Sequence, residues 1–343
     1  MHAFANKTVA VLATSLMLGA CSESTPPEQA KNTEGCGRVT IADMNWDSAS
    51  FLANLDATIL ELGYGCDVQL VPGDSQPTTA SMVAKAEPDI APEMWTNSNR
   101  ELIQQGVDEG RLAFAGRSLS DGGQEGFWVP KYMLEQYPEL ATIDGIRQHA
   151  ELFSHPEDPE ASAFYGCPAG WTCQLTTERL FNALNLSEQG FKVVNPGSGT
   201  ALAGSLARAY EQQAPWFGYY WAPTALLGQY DMVMVDFGSG INAEHFRQCI
   251  TQKECAEPQV TMYPASDVYT VTTARFAKQA PDAMAYLNTR SFSNLQMNEW
   301  LAWMKSQQAD GEYTAIEFLQ QQPELWKAWV SPEAARNIEM QLH

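Results

Sequence analysis

The sequence predicts an α/β protein of two lobes, each a mostly parallel sheet flanked by helices. Three observations predict it. From Arg38 to about residue 110, short β-branched runs alternate with amphipathic helical stretches, the rhythm of βαβ units in a parallel sheet. Gly122, Gly123 and Gly126 then break the pattern, and a second alternation begins at Phe127. Finally, Val268–Thr273 is a lone strand-like run followed only by helical sequence, so it returns the chain to the first lobe. Lobe 1 is then 36–122 with 266–343, and lobe 2 is 123–265.

The elements follow in order. Arg38–Asp43 alternates and is β-branched, a strand whose end runs into the loop Met44-Asn45-Trp46-Asp47. Asp47 or Ser48 is expected to cap a helix with Phe51, Leu52, Leu55, Ile59 and Leu62 on its apolar face, ended by Gly63 and Gly65. Val68–Val71 is the second strand, residues 72–75 a turn, and Thr78–Lys85 a helix. Pro88–Ala91 reads as a short buried strand with Trp95 just beyond it, and residues 98–110 as helix. In lobe 2, Phe127–Pro130, Phe191–Asn195, Pro215–Tyr220 and Met232–Asp236 read as strands. Helices are expected near Ile143–His149, after Cys173, from about Thr200 to Gln213, and from Pro223. Residues 238–259 read as loop, and everything after Ala274 as helix.

Length and charge narrow the function. With 343 residues and 45% apolar content, both lobes can hold a core. Acidic residues outnumber basic ones 41 to 20, which excludes nucleic acid as a partner, since phosphates need Lys and Arg. Residues 1–20 have the short apolar core of a signal peptide, and Leu18-Gly19-Ala20-Cys21 resembles the lipobox of bacterial lipoproteins, lipidated on Cys21. Residues 21–35 form a polar tether. Location is then the periplasm or cell surface, and Ser22 after Cys21 points to an outer membrane where one exists. The six remaining cysteines suit disulfides in an exported chain. Spacing pairs Cys167–Cys173 and Cys249–Cys255, each six apart in a loop, and Cys36–Cys66, which precede two strands expected to be parallel neighbours. Zinc competes weakly, because no C-x2-C pair exists, and neither metal nor cofactor is expected.

The stretch Cys167-Pro168-Ala169-Gly170-Trp171-Thr172-Cys173 is a stapled loop feeding a helix start. Backbone N–H groups there favour an anion, and the Trp171 face is free to meet a cation. Among ten Trp, Trp300/Trp303 and Trp326/Trp329 have helical spacing and read as core, and Trp128 and Trp216 sit in expected strands. Trp46, Trp95, Trp171 and Trp221 differ, since each follows a strand or lies in a loop. On residue type alone, core packing is as good an account of them. Two come from each lobe, however, and strand ends of α/β sheets face the ligand crevice. Indole faces hold a quaternary ammonium, which has no N–H to donate, at about 0.5–2 kcal/mol per desolvated face. Such a cage is expected to depend little on pH, because the ligand cannot lose its charge.

The chain resembles the glycine betaine/proline betaine substrate-binding proteins of ABC importers over about residues 38–340. The matching pieces are the Cys-x-x-Gly-Trp-x-Cys loop, Tyr219-Tyr220-Trp221-Ala222-Pro223, Trp95-Thr96 and Leu62-Gly63-Tyr64. The resemblance implies a periplasmic-binding-protein fold of type II-like topology. It also implies a cage of Trp95, Trp171 and Trp221 around a trimethylammonium group, with carboxylate contacts from the backbone N–H groups of Thr172 and Cys173. Where relatives carry a His that helps hold the carboxylate, this chain has Asn99. Trp46 offers a fourth wall, and Glu125, at the crossover, can face the cleft.

Glycine betaine is the expected solute, with trimethylamine N-oxide or choline as alternatives, and carnitine or a sulfonium analogue behind them. The partners are the solute, an ABC permease, and a membrane through the lipid anchor alone. The lobes close by rotation near Gly122–Gly126 and Ser266–Val268. The chain carries no Gly-x-Ser-x-Gly, Walker A or His-Glu-x-x-His motif, so no enzyme activity is expected. A solute sensor docking on a receptor, or a surface hydrolase, are the alternatives of another class.

Overall fold

A computed structural model of the protein describes residues 36–342; the expected signal peptide, tether and Cys21 lie outside the described residues. Among the described residues, nine strands run in the order β2-β1-β3-β9-β4-β7-β5-β6, with β8 paired on β4. Their ranges are β1 Arg38–Met44, β2 Asp67–Gly73, β3 Ile90–Trp95, β4 Leu112–Pro130, β5 Ser162–Tyr165, β6 Phe191–Val194, β7 Gly218–Ala222, β8 Met232–Met234 and β9 Ser266–Thr273.

Two parallel trios form the ends of this array. In the first, β1 pairs in parallel with β2 and β3. In the second, β5 pairs in parallel with β6 and β7. Helices on the faces cover them, as parallel sheets require. The two long crossing strands between them are antiparallel. The first part of β4 pairs with β9 down to Gly123↔Ser266, and its second part pairs with β7 from Gln124↔Ala222. One continuous strand therefore serves both sheets, and β9 brings the chain back. Two hydrophobic clusters result, one under the first trio and the C-terminal helices, one filling the second lobe and the cleft. Trp95 packs against both.

All three expected disulfides are present, with Cα–Cα distances of 4.8 Å for Cys36–Cys66, 5.9 Å for Cys167–Cys173 and 4.9 Å for Cys249–Cys255. The first staples the N-terminal ends of β1 and β2, whose register begins at Arg38↔Asp67.

Several elements differ from expectation. The helix Asp47–Tyr64 has Trp46 as its N-cap residue, with no side-chain cap, so neither Asp47 nor Ser48 plays that part. Gly63 lies inside this helix; Gly65, at φ 66°, ends it. Trp95 is the last residue of β3 rather than beyond it. The first half of β4, residues 112–121, is strand where none was expected, and so is β5. Trp216 precedes β7, and Pro223 follows a cis peptide bond, with Thr224 as the true N-cap of Ala225–Gln229. The segment expected as loop around Cys249 contains a helical stretch over Ala243–His245 and Phe246–Ile250. No helix among the described residues is long and apolar enough to cross a membrane.

Candidate functional site

The ends of four elements converge in the cleft between the trios. Trp46 follows β1 and Trp95 ends β3, both from the first lobe. Trp171 lies in the stapled loop, and Trp221 sits near the end of β7. Trp171 is the hub: its ring centroid lies 5.1 Å from Trp46 at 68° and 5.0 Å from Trp221 at 79°. The pocket is lined by all four Trp with Ser75, Glu125, Thr172, Cys173 and Tyr219. Period-two alternation puts Tyr219 and Trp221 on one face of β7, with ring centroids 6.3 Å apart. The space between these residues admits water centres over about 30 Å³, equivalent to a sphere about 3.3 Å in radius once a water radius is added back.

Glycines make the fit possible. A Cβ on Gly123 would lie 2.0 Å from the Trp95 ring, and one on Gly199 would lie 2.7 Å from Trp171. Both rings occupy room that only glycine leaves.

Polar groups hold the rings by their N–H edges. Trp46 and Trp95 donate to Glu93 Oε1 at 2.9 and 2.8 Å, and the Ser48 hydroxyl donates to the same oxygen at 3.0 Å. Trp171 donates to Asn45 Oδ1 at 2.6 Å, across the cleft. Further bonds join the lobes there: Gln76 Nε2 donates to the Trp171 carbonyl at 2.7 Å, and the Thr172 N–H to Ser75 Oγ at 2.8 Å. The structure is thus a closed form, with the stapled loop latched onto the first lobe.

Charge in the pocket comes from Glu125, which is 5% exposed. Burial pushes its carboxyl up to about 7, against hydrogen bonds from Tyr219 and Asn97 that favour the ionised form. The Tyr219 hydroxyl donates to Glu125 Oε1 at 2.8 Å. Burial also raises the Glu93 carboxyl, against the bonds from Trp46, Trp95 and Ser48 and the charge of Arg290. Three helix N-termini border the same space, those of Asp47–Tyr64, Ser75–Lys85 and Cys173–Ala183. Their partial positive charge suits an anionic group.

Of the residues expected at the site, Trp46, Trp95, Trp171, Trp221, Thr172, Cys173 and Glu125 meet around one pocket. Asn99 does not. It is the N-cap residue of the helix Arg100–Asp108, donates from Nδ2 to Thr79 Oγ1 at 3.0 Å, and borders a separate groove. The sequence reading missed Ser75, Tyr219 and the carboxylate behind the rings, Glu93. The signal for Glu93 was available: it is an acidic residue inside an apolar run, two positions before Trp95 and so on the same strand face. No group of three or more His, Cys, Asp or Glu among the described residues is placed to hold a metal ion.

The fold is that of a two-lobed α/β solute-binding protein, with an aromatic cluster lining a pocket between the lobes. Residues 37–321 match the family model described as the substrate binding domain of ABC-type glycine betaine transport systems, and the chain belongs to that family. Solved structures share the fold. A glycine betaine/L-proline-binding protein (ProX) from Borrelia burgdorferi superposes with a TM-score of 0.67 at 16% identity, covering 88% of this chain and 99% of its own. A choline-binding protein of an ABC transporter, in complex with choline, gives 0.67 at 19%, covering 90% and 99%. Lactococcal OpuAC, closed on glycine betaine, gives 0.63 at 19%, covering 86% and 100%.

Proposed function

We propose that this protein captures a methylated ammonium solute between its lobes and delivers it to an ABC permease, with glycine betaine as the solute. The observation that carries the reading is the convergence of Trp46, Trp95, Trp171 and Trp221, two from each lobe, on one small space. A trimethylammonium head is a ball of about that size. It leaves all four indole faces in contact, and faces worth about 0.5–2 kcal/mol each suffice for micromolar binding. The three helix N-termini supply the counterpart for a carboxylate tail, which favours a zwitterion over a simple cation. A carboxylate reaching Thr172 would compete with Ser75 Oγ for its N–H.

A second reading within the class is trimethylamine N-oxide. It is favoured by the small volume and by Glu125, which at its raised pKa can donate a proton to an N-oxide oxygen. The lobes open and close about the residues where β4 and β9 cross, near Gly122–Gly126 and Ser266–Val268. The chain is exported and held at a membrane through a lipid on Cys21. Conversion of Cys21 to Ser, with loss of labelled fatty acid and release of the protein, tests the anchor.

Titration by tryptophan fluorescence and calorimetry with glycine betaine, trimethylamine N-oxide, choline and carnitine tests the ligand. Micromolar binding of glycine betaine is expected. No response to any of the four would overturn the reading.

A further inference from the structure

We propose that Glu93 is a positioning residue that gives the cage its preference for positive charge. Its carboxylate holds the N–H edges of Trp46 and Trp95 and projects negative potential through both rings. The inference rests on the cage reading above and deepens it.

Glu93 stands in a strand whose residues are otherwise apolar, and its side chain has no exposure to solvent. A buried ionisable group in such a place is costly unless it is paired or used. Here one oxygen, Oε1, accepts three donors: both indole N–H groups and the Ser48 hydroxyl. The other, Oε2, is buried and has no hydrogen-bond partner among the described residues. Burial raises the Glu93 carboxyl; against it, three donors on one oxygen favour the ionised form, as does the charge of Arg290, itself buried and bound to Asp56 at 2.7 Å.

A structural peg would need only an acceptor. The negative charge adds two effects that act on the ligand. An N–H donated to an anion polarises its indole, enriching the π-face that meets a cation. The carboxylate itself also lies one ring away from the pocket, in surroundings of low dielectric that screen it little. The lobe-2 hub is held differently: the Trp171 N–H goes to a neutral amide, Asn45, with the partly exposed Asp74 carboxyl beside both. Glu93, Ser48, Trp46 and Trp95 all come from the first lobe. Their bonds are therefore complete before the lobes close, and the first-lobe half of the cage is preformed with its charge preference in place.

The test compares a cation with its neutral carbon isostere: choline and 3,3-dimethylbutan-1-ol, titrated at pH 8 into wild type and E93Q. Gln keeps an acceptor at the Oε1 position and removes the charge. The ratio of the isostere's dissociation constant to that of choline is expected to fall about tenfold in E93Q, with the isostere's own constant changed by less than about threefold. Thermal stability should not fall, since a buried charge is being removed. Equal weakening of both ligands would make Glu93 a structural peg and overturn the proposal, as would an unchanged ratio. Should E93Q fail to fold, E93D decides: it keeps the charge, so the ratio must be preserved, and its collapse overturns the proposal. Failure of wild type to bind any methylated ammonium is a different result, and sinks the cage reading itself.

Discussion

The protein uses tryptophan in two places, and the two clusters are built to opposite ends. Under the C-terminal helices, Trp300 and Trp329 join Phe51, Phe292 and Phe318 in a closed tiling of rings, and Trp326 is buried in the same cluster. Trp329 stacks on Phe318 at 5.7 Å and 10°, and Trp300 meets Phe318 edge-on at 5.3 Å. The Trp326 N–H is satisfied by the Leu319 carbonyl, seven residues away. In the cleft, the rings lean on one another from different lobes and leave space between them. The N–H groups of Trp46, Trp95 and Trp171 go to side chains, Glu93 and Asn45, and two of these bonds join residues 47 and 126 positions apart. The lesson is that a ring's partners separate the two roles where its burial does not: Trp46 is 7% exposed and Trp329 8%. In the C-terminal cluster the Trp326 N–H goes to nearby backbone, whereas in the cleft Trp46, Trp95 and Trp171 are held by their edges on polar side chains.

Mutations should break the two clusters in different currencies. Trp326→Ala is expected to have the largest effect on stability, about 3–5 kcal/mol in urea denaturation, with ligand affinity unchanged below the melting transition. Trp171→Ala should do the reverse. It removes one indole face and both ring contacts of the hub, so affinity for glycine betaine should fall by about 2 kcal/mol, roughly thirtyfold, with a smaller loss of stability. Equal effects of the two variants on both measurements would erase the distinction.

Gly123→Ala sharpens the comparison, because it touches a cleft ring without altering one. The new Cβ would come within 2.0 Å of the Trp95 ring, where nothing short of displacing the indole relieves the clash. Overpacking of this kind costs about 1–3 kcal/mol, and affinity should fall along with stability. Gly204→Ala, on the helix Gly199–Gln212 with no atom near its Cβ position, is the control, expected to leave affinity unchanged and to raise stability by about 0.5–1 kcal/mol through helix propensity.

Much of this contrast was legible in the sequence, and what was not has physical causes. Helical spacing assigned the C-terminal Trp pairs to the core, and strand-end position brought the four cleft Trp into question. The first half of β4 was hidden because Gly116, Arg117, Ser118 and Ser120 break the apolar alternation. The structure accommodates them with register shifts against β9, and Gly116 lies where a Cβ would meet the Asn288 carbonyl at 2.4 Å. β5 is four residues, Ser-Ala-Phe-Tyr, with no β-branched member to mark it. Asn99 was expected at the site because it stands where relatives of the resembled family carry a His, but here its amide donates to Thr79 and it borders a separate groove. Glu93 could be noticed in the sequence but not understood. Its role depends on an N–H that arrives from 47 residues earlier in the chain.

The smallest expected effect corrects the view that a cage for a permanent cation ignores pH. The ligand keeps its charge, but the pocket does not. With Glu125 pushed up to about 7, the closed site is half neutral near that pH. A cation in the cage favours the ionised form, so affinity for choline or glycine betaine should rise as pH increases through 7 and level off by about pH 8. If only the ionised form binds, the change from pH 6 to 8 is at most about tenfold. An N-oxide whose oxygen takes a hydrogen bond from neutral Glu125 gives the opposite slope, tightest below 7. Folding carries its own signature. A carboxyl raised on folding binds more protons in the native state between its unfolded value and 7, so its contribution to stability declines as pH rises through that window. Glu125→Gln should flatten both profiles in calorimetry and thermal melts. A slope that survives in that variant would move the titration to the other raised carboxyl at the site, Glu93, whose burial behind Trp46 and Trp95 is the feature that the C-terminal aromatic core lacks.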